Sequence, residues 1–119
     1  MLAKRGEFNG KHYIDLTEGL FRLASESDLN DILGLCYEFD ADHVLISHNN
    51  LAPEFYDLRS GLAGAAMQKF ANYRTRVALV MDPDSAQGER MQELIYEMNK
   101  GSHFRFFTVT DEARQWLVS

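Results

Sequence analysis

Two periods of apolar and polar residues succeed one another along the chain, and the switches between them outline a fold. Residues 4–8 and 11–16 flank Asn9-Gly10, a pair suited to a type I′ hairpin because both turn positions need φ > 0. The second run alternates. It puts His12, Ile14 and Leu16 on one face and Lys11 and Tyr13 on the other. A short extended piece, Leu20-Phe21-Arg22-Leu23, follows. The period then changes, with Leu29, Ile32, Leu33 and Cys36 recurring at i, i+3, i+4 and i+7. Ser25 is a suitable N-cap for that helix, Asp28 completes a capping box, and the helix is expected to stop near Phe39.

Three continuous apolar runs read as strands: His43 to Ser47, Arg76 to Met81 and His103 to Val109. Strands apolar on both sides fit a parallel sheet covered on both faces. Between the second and third, Asp82 to Ser85 predicts a turn. Met91, Leu94, Ile95 and Met98 then predict a helix, with Gly101 expected as its C′ residue. Thr110 is expected to cap a short terminal helix that packs down through Trp116 and Leu117. The order predicts one α/β domain over residues 1–119. It begins with an N-terminal β-hairpin, continues with alternating helices and strands, and forms a mixed, largely parallel sheet packed with helices.

The stretch 54–80 is the centre of this scheme. It predicts one helix over 53–73, with Pro53 in its first turn, leading into a buried strand. At about 100° per residue, Phe55, Leu58, Leu62, Ala65, Ala66 and Tyr73 should face the sheet. Ser60, Gly64, Met67 and Ala71, with Asp57 beside them, should face outward. Residues 60–68 carry no charge and two glycines, Gly61 and Gly64. A glycine inside a helix costs up to about 1 kcal/mol against alanine, so each wants a reason. Three reasons stand open: close packing within the chain, a partner's backbone approaching the outer face, or a small-molecule site at the helix start.

Composition narrows the function classes. A net charge of −6 without a compensating basic run argues against non-specific nucleic-acid binding and against an anionic membrane surface. No apolar run approaches the about 18 residues of a membrane span. The first ten residues lack the apolar core of a secretory signal, so a cytoplasmic protein is expected. Cys36 is the single cysteine and sits on an apolar stripe, the place of a small core residue.

Catalytic chemistry finds little support. His12, His43, His48 and His103 show no metal-ligand spacing, so neither a metal nor another cofactor is expected. Asp82 and Asp84 follow a strand end, but the last strand ends in Thr108-Val109-Thr110, without the lysine of a phosphoacceptor receiver site. Gly61-Leu62-Ala63-Gly64 falls inside a predicted helix, and such a pair alone is a weak phosphate-loop signal. His48, Asn49, Asn50 and Asp57 could instead line a ligand or enzymatic pocket at the strand–helix junction, with His48 and Asp57 as an acid–base pair. No catalytic residue is assigned. A binding or regulatory role is favoured, with Asp57, Ser60, Gly61, Gly64 and Met67 meeting a protein partner or a second copy of the chain.

The same residues carry a resemblance. Phe55-Tyr56-Asp57-Leu58-Arg59-Ser60-Gly61-Leu62-Ala63-Gly64, continued by Gln68-Lys69-Phe70-Ala71-Asn72-Tyr73-Arg74, resembles the signature of a bacterial family called domain of unknown function 4180. Tyr56 stands where that family has phenylalanine, and Ser60 where it has threonine. Asn9-Gly10, Asp28 and Glu97-Met98-Asn99-Lys100-Gly101 extend the likeness over nearly the whole chain, and the family implies no activity. The element order is more distantly similar to STAS domains of the anti-sigma factor antagonist type, which carry Asp-Ser-Ser-Gly-Leu at the start of a helix. Asp57-Leu58-Arg59-Ser60-Gly61-Leu62 resembles it with one extra residue. That likeness implies Ser60 as a phosphorylation site, and a phosphate there would add about −1.5 to −2 charges to a neutral face.

Overall fold

The computed structural model describes residues 3–84 and 88–119; the side chain of Leu58 is outside the description, as is Ser85 of the predicted turn. Five strands form one sheet in chain order: β1 (Lys4–Phe8), β2 (Lys11–Asp15), β3 (His43–Ser47), β4 (Arg76–Val80) and β5 (Phe104–Phe107). Only the first pair is antiparallel, joined through Asn9 and Gly10, both at positive φ (54° and 78°) as the turn requires. The other three pairings are parallel, with Val44 opposite Val77 and Leu79 opposite Phe106. The expected hairpin-edged, mostly parallel α/β domain is the observed one.

Helices cover both faces, as the apolar strands demand. On one side lie α1 (Glu26–Phe39), α2 (Pro53–Tyr56), α3 (Leu62–Asn72) and α4 (Glu89–Lys100). They enclose Ile14, Val44, Ile46, Val77 and Leu79 from the sheet. On the other side, among the described residues, a single helix, α5 (Thr110–Leu117), seals Tyr13, Leu45 and Ala78 with Ala113 and Leu117. Polar contacts hold α5 to the sheet. Arg114 Nε donates to Tyr13 Oη at 2.8 Å, Lys11 Nζ to the Val118 carbonyl at 2.9 Å, and Arg76 to the Trp116 carbonyl at 3.0 Å.

The capping box of α1 is present, with Asp28 accepting from the Ser25 N–H at 3.0 Å. Three expectations need correction. The helix 53–73 is not continuous: α2 ends at Tyr56, a 3-10 turn occupies Leu58–Ser60, and α3 starts afresh at Leu62. Asp57 is extended (φ −86°, ψ 110°) and Gly61 left-handed (φ 70°), two conformations no α-helix accommodates. The break also re-aims the second half. α3 buries Leu62, Ala63, Ala66 and Phe70, whereas Tyr73, past its end, is 63% exposed.

The other two corrections concern helix ends. Gly101 has φ −84° rather than a left-handed cap. Val109, not Thr110, is the N-cap of α5, and it makes no side-chain capping bond. Phe70 was not expected inside. Its ring meets Phe104 of β5 at 5.3 Å, and Phe55 of α2 meets the same ring at 6.0 Å, both edge-on. Those contacts fasten both halves of the broken helix to one strand and set the position of the surface between α3 and α4.

Candidate functional site

Three polar groups build the joint between α2 and α3. The Asp57 carboxylate accepts from the Arg59 backbone N–H at 3.0 Å and from Arg59 Nε at 3.3 Å, which closes a local turn. The Arg59 side chain, then its backbone N–H, holds Asp57 below the usual carboxylate range, with Arg90 adding to the effect. Ser60 Oγ lies 2.6 Å from the Glu54 carbonyl and 2.8 Å from that of Asp57, and it accepts from the Leu62 N–H at 3.2 Å. Its hydroxyl thus closes one helix and opens the next, although the residue is exposed. Gly61 then turns the chain through a conformation that costs an L-residue roughly 1–2 kcal/mol.

Beyond the joint, α3 runs beside α4, and an open groove of about 780 Å³ lies between them. Gly61, Ala63, Gly64 and Met67 form its α3 wall. Leu94 and Tyr96 of α4 supply further apolar surface, and Glu89, Glu93 and Glu97 stand along the same side. Gly64 has no packing reason within the chain. A methyl group added there would meet nothing outside its own helix within 4 Å. Close intrachain packing, one of the three accounts of the glycines, therefore fails for Gly64, while Gly61 is accounted for by its backbone.

Gly61, Gly64 and Met67 thus share one surface, with Ser60 and Asp57 in the joint at its end. The other residue set does not come together in this way. Asn50, at the end of the 3-10 turn His48–Asn50, is buried and saturated. Its Nδ2 donates to the carbonyls of Leu16 and Phe21 (2.9 and 3.0 Å), and its Oδ1 accepts from the Ser47 N–H at 2.9 Å. That side chain ties the loop after β2 to the end of β3. Asn49 is exposed and His48 half-buried. The cavity beside Asp57, about 700 Å³, is lined by Pro53, Tyr56, Asp57, Arg59 and Arg90 and includes none of those three. Burial pushes the Tyr56 phenol up.

Sequence reasoning missed the α4 wall. Its apolar stripe was legible, but the recurrence of Glu89, Glu93 and Glu97 every four residues gained meaning only once α3 lay alongside. Cys36 lies in a separate surface cavity with Leu33, Tyr37 and Tyr73, where burial, then the Asp42 carboxylate, pushes its thiol up to about 11. Among the described residues no group of three His, Cys, Asp or Glu side chains is placed to hold a metal ion. No described helix is long and apolar enough to cross a membrane.

Among the described residues, a five-stranded mixed sheet, four helices on one face, one on the other and an acid-edged groove between two of the four define the class: a compact α/β domain with an interhelical surface. The family described as "Domain of unknown function (DUF4180)" matches residues 8–117, and the chain belongs to it. No curated protein and no solved structure matches the chain.

Proposed function

We propose that the chain is a non-catalytic regulatory module that captures a protein partner on the outer side of α3. One observation carries the reading. Gly64 is a glycine in the first turn of α3 with no intrachain contact to require it, and it opens onto a partly apolar groove. A residue that weakens its helix and serves nothing inside the molecule fits a surface approached from outside. Gly61 and Met67 flank it, while Asp57 and Ser60 hold the joint that aims it.

A STAS-like role is the finer form of this proposal, and it rests on the Asp57-to-Leu62 pattern together with the order of elements. In that form a phosphate on Ser60 would take the hydroxyl proton that binds the Glu54 and Asp57 carbonyls, set its charge beside them and release the joint. The rival reading is a small-molecule site in the cavity where Tyr56, Asp57, Arg59 and Arg90 meet, favoured by two guanidinium groups beside one carboxylate. A ligand bound there raises the melting temperature in a metabolite screen.

The deciding experiment is Gly64→Arg. The variant should keep its circular dichroism and lose the proteins captured from the native host, or lose any self-association seen by solution mass. Unchanged capture and mass would sink the proposal.

A further inference from the structure

We infer that the α3–α4 groove receives an amphipathic helix from another protein, its apolar stripe edged by lysine or arginine, and not a second copy of this chain. The inference rests on the protein-binding reading above and names the partner's chemistry.

Length comes first. The groove is lined by residues 61–67 on the α3 side and 89–97 of α4, stretches about 10–13 Å long that can cradle about two turns of a helix. Ala63, Met67 and Leu94 offer an apolar floor, Gly64 leaves room for a close approach, and methionine adapts to the shape it meets.

Charge then selects the occupant. Glu89, Glu93 and Glu97 stand on successive turns of α4, about 5–6 Å apart, and with Arg90 lining the same groove they leave it an excess of two carboxylates. Among the described residues neither Glu89 nor Glu93 belongs to an ion pair, and Glu97 is paired only with Lys100, at 3.2 Å. A helix lying in the groove with basic residues at the same four-residue spacing would face this row turn for turn.

Among the described residues the chain has no such helix to offer. Lys69 is the sole basic residue of α3, Arg90 and Lys100 lie ten positions apart in α4, Arg114 is alone in α5, and α1 and α2 have none. Two copies meeting through α4 would set glutamate against glutamate, which is unfavourable. The net charge of −6 works in the same direction.

The test uses three 18-residue peptides: a leucine-striped helix edged by lysine, the same helix edged by glutamate, and a scramble of the first with its stripe destroyed. Fluorescence anisotropy with the full chain should show the lysine peptide binding about tenfold or more tighter than either control. Reversing the row with Glu89→Lys and Glu93→Lys should weaken the lysine peptide about tenfold and strengthen the glutamate peptide. Glu38→Lys, on α1, should change neither. Equal binding of the lysine and scrambled peptides overturns the inference, as does indifference to the reversed row. So does a wild-type dimer in sedimentation that Gly64→Arg dissociates. If Gly64→Arg abolishes capture but the reversed row changes nothing, the docking face stands and the partner chemistry falls. If Gly64→Arg is also silent, the face itself falls.

Discussion

Cys36 and Asn50 show at residue scale how a side chain that resembles chemistry turns out to be structure. Cys36 packs against the core beneath α1, and burial raises its thiol from 9.0 to about 11. The sign follows directly. The unfolded thiol ionises first, so the stabilising effect is complete below about pH 9 and is lost as pH rises towards 11. At pH 8 the folded protein should react with iodoacetamide about 100-fold more slowly than the denatured chain, from thiolate fraction alone. Timed alkylation read by mass spectrometry checks this, and equal rates would refute the burial argument. Asn50 reads in sequence as a loop polar residue beside His48, and hence as a pocket candidate. Its bonds to two distant carbonyls, 34 and 29 residues away, show only in three dimensions, since nothing in the local pattern marks Leu16 and Phe21 as its partners.

Helix periodicity was legible at the scale of elements wherever one segment kept one phase. The α1 stripe, its capping box, the Asn9-Gly10 hairpin and the two-sided apolar strands all follow from short-range rules that the structure obeys. The joint after Tyr56 did not follow. Ser60 and Gly61 are tolerated in helices, and only the hydroxyl closure plus a left-handed glycine distinguishes two helices from one. A single phase imposed across that break placed Tyr73 inside and overlooked Phe70. The outward side of α3 survived the error because Gly64 lies almost opposite Leu62 and Ala66 in any helical phase.

Three glycines now separate by cause. Gly61→Ala should lower stability by roughly 1–2 kcal/mol, because φ is 70°. Gly34→Ala, in the middle of α1 with open space around it, should raise it by about 0.5–1 kcal/mol, and Gly64→Ala, in the first turn of α3 and equally open, by about 0.5 kcal/mol or less. Urea titrations of the three variants measure these signs. Only Gly64→Ala should also weaken partner capture, with Gly34→Ala as the matched control on α1. A destabilised Gly64→Ala would mean that its site is not open.

Closure of the sheet's second face depends, at the scale of the whole molecule, on one short helix. Among the described residues α5 and the adjoining Val118 cover Tyr13, Leu45 and Ala78, and the helix is held by Arg114, Lys11 and Arg76. Removing residues 110–119 should bare that apolar face while leaving α1, α3 and α4 in place. The truncated chain should bind an apolar dye such as ANS and lose sharp side-chain resonances, with most helical circular dichroism retained. A truncation that stays monomeric, dye-silent and sharply resolved would contradict this division of the core.

Strand order identical to chain order has its own implication for synthesis. Each parallel strand finds its neighbour already made, so pairing can advance with the growing polypeptide and need not wait for distant segments. The exception is α5, which follows β5 and folds back over strands laid down long before. Until it arrives, one side of the nascent domain stays open to chaperones, and residues 110–119 act as the latch that ends that exposure.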